Sequence, residues 1–169
     1  SEMCIRDSVY AEAAAVLADY LAPQQVAVGV PGGLDILVHG VRAFLRAQPE
    51  HVVVRLDLRN AYNEIDRCVA LRRLAAVPEL AHLAPLFHAL HAPMARLQLS
   101  TGCGLFHDVA GRAGDSEEGV RQGSAESSAV FCVGIAPELA ALDRELAAVG
   151  GAARGDADDV YACGPPGLV

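Results

Sequence analysis

The sequence contains no lysine; all 13 of its Lys-or-Arg positions are arginine, which reads as coding bias and not as function. It lacks any uncharged apolar run near the roughly 20 residues needed to cross a bilayer. Nor does a basic stretch lead into a short apolar one, so no targeting leader is read from it. The five cysteines, Cys4, Cys68, Cys103, Cys132 and Cys163, are odd in number and scattered, with no CxxC pair. That excludes the common zinc and dithiol motifs and reads as reduced thiols. Internal repeats, low-complexity tracts and linkers are also missing, so one domain is expected. The expected setting is soluble and intracellular, cytoplasmic or nuclear, with no membrane partner.

What is present is apolar and acidic. At 169 residues, 53% of them hydrophobic, the chain can bury a proper core. A net charge of −8 argues against a free-standing nucleic-acid binder, because phosphate neutralisation calls for a basic face. Carboxylates that hold divalent cations would account for part of that charge.

The opening Ser1-Glu-Met-Cys-Ile-Arg-Asp-Ser8 resembles a translated sequencing-adaptor remnant, and residues 1–8 are set aside from fold reasoning. The last residues, Gly164-Pro165-Pro166-Gly167-Leu168-Val169, stop just after an expected strand. The expectation is a chain truncated at both ends.

Residues 9–21, rich in alanine and leucine and ended by Pro23, predict a helix. After the loop Gly29-Val30-Pro31-Gly32-Gly33, a second helix puts Leu34, Leu37, Val38, Val41 and Leu45 on one face. In HVVVRLDLR, Val52, Val54, Leu56 and Leu58 alternate with Val53, Arg55, Asp57 and Arg59. That is the period of a strand with one apolar and one polar side, Asp57 on the polar one. Residues 63–76 predict a helix, and Pro78 precedes another through Leu90, both expected to pack on the sheet. Residues 94–109 read as a hairpin around Thr101-Gly102-Cys103-Gly104. A polar loop from Gly111 to Gly119 leads into a long helix, which Pro137 should kink or split. ARGDADDVYACG reads as strand, acidic turn and strand. The order predicts an α+β fold with an antiparallel sheet packed on helices.

Nucleotidyl transfer by two divalent cations needs carboxylates from separate segments to meet at one place. Asp57 at the end of one strand and Asp158-Asp159 in a turn between two others would meet if those strands were neighbours.

Three segments carry a family resemblance. LDLRNAYNEIDR resembles motif A of retroelement reverse transcriptases, EGVRQGSAESSAVF resembles motif B, and ADDVYACG resembles the strand-turn-strand of motif C, in that order. Upstream, VGVPGGLDILVHGVRAFL is similar to the fingers segment of some non-LTR elements, so the resemblance spans roughly residues 26–166.

The resemblance implies a polymerase palm with a ferredoxin-like (RRM-like) core in residues 51–169 and a partial fingers segment in 9–50. It implies RNA-directed DNA polymerase activity, with two magnesium ions (or manganese) as cofactors and an RNA template, a DNA primer and dNTP as partners. Asp57 and Asp158 would be the principal metal ligands, Asp159 the accompanying carboxylate, and the Leu58 carbonyl a further ligand. Tyr62 would lie under the sugar of the incoming nucleotide and select deoxynucleotides. Gln122 and Gly123 would lie against the templating base pair and the sugar.

Two departures stand out. The family usually has an aromatic two residues before the paired aspartates, where this chain has Asp156. Motif B usually continues with an acidic residue and a proline, where this chain has Ser124-Ala125-Glu126-Ser127-Ser128. Both allow a degenerate, inactive palm that only binds RNA or protein. A third reading is another palm-like nucleotidyl transferase, such as a nucleotide cyclase.

Plainer readings stand beside these. Asp57 alone would be a solvated strand end, Asp158-Asp159 an ordinary turn, Tyr62 a half-buried helix-start aromatic and Gln122 a solvent-facing loop residue. His82, His88 and His91 fall on one predicted short helix; His88 and His91, three apart, are spaced as two metal ligands could be, but no third ligand is evident and all three read as surface residues. Gly29 to Gly33 has no following Lys and Ser or Thr, and reads as a plain loop.

Overall fold

The computed structural model describes residues 2–91, 95–96, 99–101, 104–106, 115–116, 118–120 and 125–168. Among the described residues, six α-helices and a central antiparallel sheet make up the α+β fold, as the sequence predicts. Helix α1, Glu2–Leu21, begins well ahead of the predicted start at residue 9. Helix α2, Gly33–Ala47, follows the glycine-rich loop. Strand β1 spans Val52–Asp57.

The single helix expected over 63–76 is two, α3 (Ala61–Glu64) and α4 (Arg67–Ala75). Ile65 is extended between them, and the Asp66 carboxylate accepts from the Val69 N–H at 2.9 Å, capping α4. A 3-10 helix, Pro78–Leu83, and helix α5, Ala84–Leu90, complete this region.

Strands β2 (Ala95–Arg96), β3 (Leu99–Thr101), β4 (Gly104–Phe106) and β5 (Asp115–Ser116) come next. β3 and β4 pair antiparallel as the predicted hairpin requires, while β2 pairs with β5, in a stretch expected to be loop. Helix α6, Ala125–Ala147, runs unbroken through Pro137, so the proline does not split it. Strands β6 (Ala152–Asp156) and β7 (Asp159–Gly164) close the fold.

The three-stranded sheet has the order β1-β7-β6, all antiparallel. α6 covers one face: Leu139 and Leu146 pack with Ala153, Val160 and Ala162. α2 lies on the opposite face, at the end away from Asp57, where Leu37, Val41 and Phe44 border a cavity of about 330 Å³ with Ala152 and Cys163.

Contrary to expectation, α4 packs against α6 and not on the sheet. Together with α1 and α5 it encloses the main core, built on Leu17, Leu74, Leu80, Phe87, Val130 and Phe131. Leu17 is fully buried, and its replacement by alanine would cost about 2 to 5 kcal/mol. Among the described residues, no helix is long and apolar enough to cross a membrane.

Candidate functional site

The sheet register brings the aspartates together. Asp57, the last residue of β1, stands directly opposite Asp159, the first of β7, and Asp159 stands opposite Asp156, the last of β6. Directly opposed residues of antiparallel strands project from the same face, with Cβ atoms roughly 4.5 to 5.5 Å apart. Three carboxylates therefore line one end of the sheet in a row, on the face that α6 leaves open. Asp158 sits in the two-residue loop joining β6 to β7, half-buried beside them.

The row is partly compensated. Arg55, two residues before Asp57 on the same face, donates from Nη2 and Nε to Asp159 Oδ1 at 2.6 and 3.1 Å. Arg55 is held above its usual range by that hydrogen bond and by the Asp159 charge. Asp156 has no such counter-charge in its balance: burial first, then the neighbouring Asp159 and Asp158, push its carboxyl up from the ordinary value.

Tyr62, on α3, is half-buried over the start of α6. Its ring stacks on Phe131, with centroids 4.6 Å apart and planes at 14°, and its hydroxyl shares a hydrogen bond of 3.1 Å with Ser128. Burial raises its pKa, the Ser128 bond opposes that, and the charges of Asp158 and Asp156 add to the rise. Tyr62 thus lies within electrostatic reach of the acidic turn while fixed to α6.

The chain between these elements is stitched down. Val120 N–H donates to Tyr62 O at 2.6 Å, Gly119 N–H to Ile65 O at 3.0 Å, and Arg67 Nη2 to Glu118 O at 2.7 Å. Gly119 has φ +75, and a Cβ there would lie 2.5 Å from the Asn63 carbonyl oxygen, so only glycine fits. The turn ahead of α3 is held by Asn60 at φ 52, where asparagine is tolerated, with its Oδ1 accepting from Asn63 Nδ2 at 2.7 Å.

The structure thus brings Asp57, Tyr62, Asp158 and Asp159 to one end of the molecule. Leu58 lies just beyond β1 and is exposed. Gln122 and Gly123 lie outside the described residues. Sequence reasoning missed Ser128 and Phe131, whose only local signal is their spacing of three on one helix face, and Gln25. The histidine reading is corrected in part: His82 is exposed and bonded to Glu12 at 3.0 Å, but His91 is buried. A cavity of about 480 Å³ between α4 and α5, lined by Leu71, Ala75, Pro85 and His88, lies away from the aspartates.

Among the described residues, no three His, Cys, Asp or Glu side chains already stand as a ready-made metal cage. Magnesium does not require one, since it binds through one or two carboxylates and keeps waters or substrate phosphates as its other ligands. The donor set here, hard carboxylate oxygens that burden one another electrostatically, fits that mode.

Comparison with known proteins finds no family model that matches the chain and no curated protein with significant similarity.

Proposed function

We propose that this chain is the palm, with part of the fingers, of a reverse transcriptase of the retrotransposon type. The observation that carries the reading is the register pairing Asp57 with Asp159 at the open end of the sheet, with Asp158 next to them. Three segments chosen on sequence resemblance meet there: the strand resembling motif A, the hairpin resembling motif C and, through the contacts of Tyr62 with Phe131 and Ser128, the helical end of the segment resembling motif B.

On this reading Asp57 and Asp158 hold magnesium, with the Leu58 carbonyl as a further donor. Asp159, one oxygen already engaged by Arg55, shapes the field between them. Bound magnesium supplies Lewis acidity to the primer 3′-hydroxyl and to the triphosphate. Tyr62, braced by Phe131 and Ser128, borders the sugar of the incoming deoxynucleotide; Gln122 and Gly123 border the templating pair. On this reading an RNA template and a DNA primer are the polymerase's nucleic-acid partners.

The test is primer extension by that polymerase carrying Asp57→Asn or Asp158→Asn. Extension should vanish while RNA binding persists. Unchanged extension removes the metal assignment.

A second reading, a degenerate palm that binds RNA or protein without turnover, is favoured by two observations. Asp156 adds an uncompensated carboxylate opposite Asp159, and Arg55 occupies Asp159. It predicts RNA binding with no extension in the wild-type protein.

A further inference from the structure

We propose that Gln25 is a positioning residue for Asp158: its buried amide holds the loop of the β6–β7 hairpin in the conformation that presents Asp158 to a divalent cation. The inference rests on the metal-binding reading above and adds a residue that none of the motifs contains.

Gln25 is 2% exposed, and its side chain is spent on the backbone of one distant residue. Gln25 Nε2 donates to Ala157 O at 3.1 Å, and Ala157 N–H donates to Gln25 Oε1 at 2.8 Å. Oε1 also accepts from the N–H of Ala27 at 3.3 Å. One primary amide thus takes up both peptide groups of Ala157, the residue between Asp156 and Asp158.

Ala157 has φ 55, in the left-handed region that a residue with a side chain adopts reluctantly. It is the first of the two loop residues, a position where such a turn favours glycine. Without a clamp the loop is free to relax, and the carboxylate attached one residue on moves with it.

The clamp itself is anchored. Residues 24–26 run parallel to β6, with Val26 N–H donating to Gly155 O at 2.9 Å and Gly155 N–H donating to Gln24 O at 2.6 Å. Gln24 Nε2 donates to Asp143 on α6 at 2.8 Å. The segment that follows α1 is thereby fixed to the edge of the sheet, and its Gln25 amide is directed at the acidic turn.

The test measures Mn²⁺ affinity by electron paramagnetic resonance on the full chain, with circular dichroism to verify folding. The variants are Asp158→Asn, Gln25→Met and Gln25→Met/Ala157→Gly. Asp158→Asn should weaken binding tenfold or more, and Gln25→Met about tenfold, the usual scale for outer-shell groups. Ala157→Gly in the Gln25→Met background should recover part of the loss, because glycine holds the left-handed conformation unaided. Amide exchange at Ala157 should rise in Gln25→Met, which removes the acceptor of its N–H. Where Gln25→Met does not fold, Gln25→Asn, which keeps the amide on a shorter stem, should show the same loss.

Unchanged Mn²⁺ affinity in a folded Gln25 variant, with binding lost in Asp158→Asn, overturns the positioning role and leaves the metal reading intact. No recovery in the double variant also overturns it, since the loss would then come from packing. Unchanged affinity in Asp158→Asn overturns the metal reading itself, and the positioning role with it.

Discussion

Tyr62 lies nearly parallel on Phe131, ring centroids 4.6 Å apart, and its hydroxyl meets that of Ser128 at 3.1 Å. This pair of interactions ties the segment after β1 to the first turns of α6, and so fixes the distance between the end of β1 and the helix beneath it.

Replacing Tyr62 by phenylalanine keeps the stack and removes the hydrogen bond, and should cost about 0.5 to 1.5 kcal/mol. Replacing it by alanine also removes the ring and its stacking, and should cost about 2 kcal/mol or more. Urea unfolding followed by circular dichroism separates the two; equal midpoints for both variants would show that the stack contributes nothing.

Much of this frame is legible in the sequence, where the signal is local. The run from Val52 and the acidic turn at Asp158 mark strands by period and turn chemistry, and the structure has strands at both places, although Val52, Leu56 and Leu58 of the expected apolar side are exposed because α6 covers β6 and β7 and not β1. The break at Ile65 and Asp66 was also available locally, since an aspartate heading a helical run is a cap signal. Gln25 was not legible. A glutamine after proline reads as a solvated loop residue, and its partner Ala157 is remote in sequence, brought near only when residues 24–26 dock on β6. The packing of α4 on α6 likewise depends on a non-local fit.

That fit turns on Gly134. A Cβ there would lie 2.5 Å from Ile65 Cδ1 and 2.9 Å from Ala70 Cβ. Ile65 can swing aside, but the Ala70 methyl cannot. Gly134→Ala gains up to about 1 kcal/mol of helix propensity, yet overpacking costs about 1 to 3 kcal/mol, so the net effect should be destabilising. Adding Ala70→Gly should return part of the loss, and a thermodynamic cycle of the four proteins measures the coupling. Additive changes would refute the contact.

Asp143 on α6 should give the fold an acid-sensitive joint. Burial alone would raise its carboxyl, but the Ala153 N–H at 2.9 Å, Gln24 at 2.8 Å and Arg154 at 2.7 Å outweigh it and hold the pKa below 3.8. A depressed folded value means that the stabilisation is fully present above 3.8 and is lost as pH falls from there through the lower folded value. Asp143→Asn should cost about 1 to 3 kcal/mol near neutral pH and flatten stability against pH in that acid window. A variant with the wild-type acid slope would show that Asp143 is not the titrating group.

Arg55 supplies the last prediction, and it separates charge from structure. Its side chain is 59% exposed, so water screens its pair with Asp159 and the pair should contribute little to folding. For a divalent cation at the aspartate row the same guanidinium is a competitor, because it occupies Asp159 Oδ1 and adds a positive charge nearby. The guanidinium charge repels a divalent cation placed there, most strongly at low salt. Arg55→Gln should therefore leave thermal stability almost unchanged and tighten Mn²⁺ binding about three- to tenfold at low salt. The gain should shrink above about 0.1 M salt, where the screening length falls to about 10 Å. Weaker binding in Arg55→Gln would mean that Arg55 organises the carboxylates for the cation. Unchanged binding at low salt would place the cation beyond its reach, away from Asp159.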